Sequence, residues 1–292
     1  MTLGDHLGTA SNLVNPSPPL NQVSQVSQVS QDTPPIRWSE IAIDLLQGLT
    51  RSHQWESLVL PVTRLSPVPP WQRQADGLAI ATLPLTLYFH DDLNRQRQTL
   101  TQLCAALAIE PLSTAWVLSF AYVIAQAVKG QLDPATVIPQ TLAYLRVAVT
   151  DVNATADSVI ALLEQVTVAQ EHMTTLELLT RDIENINAIA IALLCFLQTP
   201  ADMRLAMTRA TRFCAAAHHP DAPTIHALLG ALVGAHTGVA GIPPSWQTMP
   251  AIAPQVPMLM TLAESLVASW SGMSGDAIAA SVPVAAPWVI RA

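Results

Sequence analysis

Residues 220–246 read PDAPTIHALLGALVGAHTGVAGIPPSW. Proline and threonine stand ahead of an apolar run, the pattern of a helix N-terminus, and either Asp221 or Thr224 is placed to cap it. Gly230, Gly234 and Gly238 follow at a spacing of four, so they share one stripe of the helix. Each interior glycine costs about 1 kcal/mol relative to alanine. Repeating that cost predicts a central helix against which another backbone packs closely. His218, His219, His226 and His236 lie in or beside the run, but none are paired at i and i+4. That spacing would let one helix face hold an ion. They read as surface or capping side chains.

The text on either side extends the helical pattern. Asp91 and Asp92 head a helix with an apolar face from Leu100 onward, and Asp133 with Pro134 opens another. Further helices are expected over 156–170, 182–198 and 200–217, several of them apolar on most sides, as helices inside a bundle are. No strands alternate with them, and neither a dinucleotide-binding glycine pattern nor a phosphate loop occurs. The expected architecture is all-α, a compact multi-helix bundle forming a single domain over 1–292. Two stretches interrupt it. Residues 15–36 hold the low-complexity insert around VSQVSQVSQ, and 247–292 form an apolar tail broken by Pro250, Pro254, Pro257, Pro283 and Pro287. That tail is expected to pack as short helices and extended pieces.

Half of the 292 residues are hydrophobic, enough for a large core, and only 12% are charged, with a net charge of -8. An acidic chain without a lysine or arginine block argues against nucleic acid and anionic membranes as partners. Cys104, Cys195 and Cys214 are scattered, so neither a disulfide framework nor a thiolate zinc site is indicated, and a reducing, cytoplasmic setting fits. The apolar run 111–128 is of borderline length for a membrane span and carries Ser113, Thr114, Ser119 and Gln126. It reads as a buried core helix of a soluble protein.

The 220–246 stretch resembles the C-terminal signature of the ADP-ribosylglycohydrolase family: Asp-x-Asp-Thr, then Ile-x-Ala-x-x-Gly-Ala-x-x-Gly-Ala, a glycine, Ile-Pro and Trp. The matching positions are Asp221, Thr224, Ile225, Ala227, Gly230, Ala231, Gly234, Ala235, Gly238, Ile242, Pro243 and Trp246. Other pieces fall in family order. LGDHLG at 3–8 is similar to a Gly-Asp-x-Leu-Gly motif, and RWSEIAIDLL at 37–46 sits where the family has Trp-Thr-Asp-Asp-Thr. GLAIATLPLTLYFHDD at 77–92 is similar to a Met-Arg-x-x-Pro segment, with Thr82 in the place of the arginine.

The resemblance implies an all-α fold, hydrolysis of an ADP-ribosyl bond at a pair of magnesium or manganese ions, and ADP-ribose or an ADP-ribosylated protein as partner. Hard ions take oxygen ligands, and two close together need several carboxylates. The family's two metal-binding motifs become Ser39, Glu40 and Ile41 in one place, and Asp221, Ala222, Pro223 and Thr224 in the other. Ser39, Glu40, Asp221 and Thr224 are the residual metal candidates; Ile41 and Pro223 offer no side-chain ligand. Asn12 stands where some family branches have a glutamate. No catalytic residue is assigned. The expectation is a catalytically impaired family member, a pseudoenzyme whose magnesium or manganese is weakly held or absent. The alternative is an active metal-dependent hydrolase.

Overall fold

The computed structural model describes residues 38–52, 75–148, 187–217, 222–250 and 252–272, all within one compact unit, Arg37–Ala292. The LGDHLG motif, the insert 15–36, the helix expected over 156–170, His218, His219 and Asp221 lie outside them. Among the described residues there are eleven α-helices and no strand, so the protein is all-α. We number the helices α1 (Trp38–Ser52), α2 (Ala75–Ala81), α3 (Leu83–Tyr88), α4 (Leu93–Ala106), α5 (Pro111–Val128), α6 (Val137–Ala148), α7 (Ala188–Gln198), α8 (Met203–Ala217), α9 (Ala222–Thr237), α10 (Pro244–Gln247) and α11 (Val256–Trp270).

Helix α5 is the apolar run 111–128. Proline occupies its first turn, where a missing N–H costs no hydrogen bond. Thirteen consecutive residues, Ala115–Ala127, are buried. A helix buried on every side needs neighbours on every side, and α2, α3, α4, α6 and α9 supply them. Among the described residues α5 is the one helix long and apolar enough to cross a membrane, and 72% of it is covered by the rest of the fold. Its Ser119 hydroxyl is buried without cost because it donates to the Ala115 carbonyl at 2.8 Å. Burying a large apolar side chain in this layer stabilises by about 1.5–3 kcal/mol.

Helix α7 is the second such core element, with all ten residues from Ala188 to Leu197 buried against α8, α9 and α2. Its start is fixed by Asn187, whose side chain accepts from the Ile189 N–H at 2.8 Å. Helix α9, the opening stretch, packs on α7, α8, α5 and α2 through Ile225, Leu228, Leu229, Leu232 and Val233. It is the central helix that its composition predicts.

Several helix starts follow the sequence. Asp92 caps α4 by accepting from the Arg95 N–H at 3.0 Å, and Asp202 accepts from the Leu205 N–H at 2.9 Å ahead of α8. Asp133 behaves differently. It accepts from the Ala135 N–H at 3.0 Å and from the Thr136 hydroxyl at 3.1 Å, but the regular helix begins at Val137. Asp133 therefore organises a turn that leads into α6. The apolar tail also departs from expectation: α11 is a continuous fifteen-residue helix. Pro257 falls in its first turn, where proline is tolerated, so this proline opens the helix instead of breaking it.

Candidate functional site

Helices α1 and α9 carry the two sequence motifs in their first turns, and both pack on the short helix α2. The α1–α2 contact is specific. Gly77 presents bare backbone to the Trp38 indole, and a Cβ there would overlap the ring. Trp38, the first residue of its motif, thus anchors the start of α1. Ser39 and Glu40 come directly after it and are exposed, while Ile41 is half-buried. Glu40 lies in the first helical turn, where a carboxylate also stabilises the macrodipole.

Thr224 is the third residue of α9 and half-buried; Pro223, before it, is exposed. Because α9 begins at Ala222, Thr224 lies inside the helix and does not cap it. The fold thus places Ser39 and Glu40 together on α1 and Thr224 on a different helix, joined through α2.

Sequence reasoning passed over Asp76. It lies in the first turn of α2, one residue before the Gly77–Trp38 contact, and is only 8% exposed. Among the described residues it is the only buried acidic side chain. The signal was an aspartate directly ahead of the glycine that opens the Met-Arg-x-x-Pro segment. Placing that motif's proline on Pro84 also puts its arginine position at Ala81, one residue before Thr82. Thr82 is buried, and its hydroxyl donates to the Leu78 carbonyl at 2.9 Å, where α2 gives way to α3. Neither residue supplies a cation.

The glycine stripe of α9 does not mark a close backbone approach. A Cβ at Gly230 would meet only the end of the Met207 side chain, at 3.3 Å, and one at Gly234 would find nothing within 4 Å. Gly238 has a separate role: its φ of 66°, a region that L side chains rarely adopt, ends α9 and turns the chain into the 3₁₀ turn Val239–Gly241. Gly241 lets that turn fold onto the helix end, because a Cβ there would collide with the Thr237 side chain.

His226 and His236 both have structural positions. His226 Nδ1 donates to the Ala222 carbonyl at 2.6 Å, and its Nε2 lies 2.9 Å from the Thr211 hydroxyl, tying the start of α9 to α8. His236 sits edge-on to Phe196, with ring centroids 5.8 Å apart, and burial pushes its pKa down. The Ile-Pro-Pro-Ser-Trp end of the signature is held by Arg204, which donates to the Ser245 hydroxyl at 2.8 Å. Gln247 adds a bond to the Ile242 carbonyl at 3.1 Å.

With this geometry in place, comparison with known proteins identifies the class. The family model described as ADP-ribosylglycohydrolase matches residues 28–276. The chain belongs to the ADP-ribosylglycohydrolase family. That span includes both motif helices and leaves LGDHLG outside it. No curated protein and no solved structure matches the chain.

Proposed function

We propose that this family member has lost most or all of its hydrolytic chemistry and uses the retained fold to recognise ADP-ribose or an ADP-ribosylated protein. The observation that carries this reading is Pro223. It stands at a carboxylate position of the C-terminal motif, exposed in the first turn of α9, and contributes only hydrocarbon. Ile41 does the same on α1.

The family is generally metal-dependent, and hard divalent ions need oxygen donors with enough negative charge to hold two of them. With Ile41 and Pro223 in place, the donor set falls to the Ser39 and Thr224 hydroxyls and the Glu40 and Asp221 carboxylates. Such a set does not fit a preorganised ion pair. It does fit a second reading, an active hydrolase with one magnesium or manganese ion, favoured by the packing of α1 and α9 on the same short helix. A reducing, cytoplasmic setting is part of the proposal, supported by three free, buried cysteines.

Calorimetric titration with magnesium, manganese and ADP-ribose separates the readings. The wild-type chain is expected to bind ADP-ribose independently of either ion. Ile41→Asp combined with Pro223→Asp is expected to gain ion affinity, because it returns two carboxylates to the motif positions. Tight binding of two ions by the wild-type chain, abolished by Asp221→Ala, would overturn the proposal.

A further inference from the structure

Helix α11 is apolar on two sides, and the fold uses one of them. Leu266, Ala268 and Ser269 are buried, and the helix packs on α1 and α3. On the other side, Val256, Met260, Ala263, Val267 and Trp270 are spaced 4, 3, 4 and 3 residues apart. This is the periodicity with which one helix presents a seam to another. The seam is largely open: Val267 is 58% exposed, Met260 41% and Trp270 41%, with Leu259 beside it at 43%, and one side of the Trp270 ring packs on His90 with centroids 5.0 Å apart. Glu264 is the single charged residue of the helix. Met249 and Ile252, in the turns leading into α11, are 47% and 42% exposed.

We propose that this seam is the contact surface of a homodimer, with α11 of one copy packed on α11 of a second. Three observations select a second copy as the occupant. The 4-3 spacing fits a helix and not a flat surface or an extended peptide. A chain with a net charge of -8 can meet itself where almost no charge is carried, and α11 is such a place. The area also suffices. A fully exposed large side chain presents roughly 200 Å², so the exposed side chains of α11 and its approach turns offer on the order of 600 Å² per copy. Two copies then remove ~1,200 Å², the lower end of specific interfaces. An interface of that size, closed by a two-fold axis, is consistent with a reversible dimer.

Sedimentation velocity on the full chain over roughly 1–100 μM tests this. The expected result is a concentration-dependent dimer that high salt does not dissociate. Val267→Glu is expected to weaken association by at least about tenfold, since it puts a like-charge pair into the contact. Thr261→Glu, outside the seam on the same helix, is expected to leave association unchanged. Circular dichroism checks that each variant folds; if Val267→Glu does not, Met260→Lys brings a charge to the same seam. A wild-type chain that stays monomeric across the range overturns the proposal. So does a dimer that is indifferent to both seam variants, or association that needs detergent or lipid.

Discussion

Replacing Gly77 by alanine tests how the first motif is anchored. On helix propensity alone the change stabilises α2 by up to about 1 kcal/mol. The structure predicts the opposite sign, because the new methyl would overlap the Trp38 indole. Overpacking of this kind costs about 1–3 kcal/mol. The same range covers the alternative, in which the half-buried ring swings out and loses part of its contact. The net expectation is a loss of about 1 kcal/mol. In a Trp38→Ala background the obstacle is gone, and the same Gly77→Ala change is expected to stabilise by up to about 1 kcal/mol. The double-mutant cycle therefore carries a coupling of about 2 kcal/mol, within the range for residues in direct contact. The assay is denaturant unfolding of the four proteins followed by far-UV circular dichroism. Equal effects of Gly77→Ala in both backgrounds, or stabilisation in the wild-type background, would refute the anchoring argument.

Two further predictions concern buried groups. Burial pushes the Cys104 thiol up to about 11 and the Cys195 thiol up to about 12. In the native protein at mildly alkaline pH both are expected to resist a maleimide and to react fully once unfolded in guanidinium; fast native labelling at either would contradict their placement. Burial lowers the His236 pKa below its ordinary 6.5, so between the lowered value and 6.5 the unfolded chain binds more protons than the folded one. Stability therefore rises with pH through that window and is lost on acidification. His236→Gln is expected to flatten the dependence of the melting temperature between about pH 7 and pH 5, and an unchanged slope would count against the assignment.

Much of the fold was legible because helix burial is written in local composition. The run at 111–128 and the described part of the run at 182–198 are apolar on most sides, and both became core helices. Asp92 marks its helix start through a hydrogen bond that closes within three residues, whereas Asn187, which caps α7 in the same local way, was passed over. What failed to show depends on distance or on an ambiguous cost. Trp38 and Gly77 meet across 38 intervening residues, so no local pattern announces the contact. Glycines at intervals of four signal an absent side chain, but sequence alone does not say whether backbone or open space lies beyond. Gly234 met open space. The prolines of the tail misled in a similar way, because Pro257 is harmless in a first turn.

Of the candidate site, the sequence offered motif positions only, and the fold adds the relation of the helices that carry them: α1 and α9 share α2 as a common support. Asp76 was missed because its interest comes from burial, and an aspartate before a glycine is ordinary turn chemistry in sequence.

The exposure of the motif positions separates two pressures on the chain. Ser39, Glu40 and Pro223 all face solvent, and substitutions at such positions usually change stability by less than about 0.5 kcal/mol. Thirteen successive buried residues in α5 have no such freedom. Selection for a folded protein therefore holds the scaffold in place but exerts almost no force on the carboxylates of the motifs. Only selection on their chemistry can preserve them, so a lineage released from that chemistry can lose its ligands one at a time while remaining recognisable by its core.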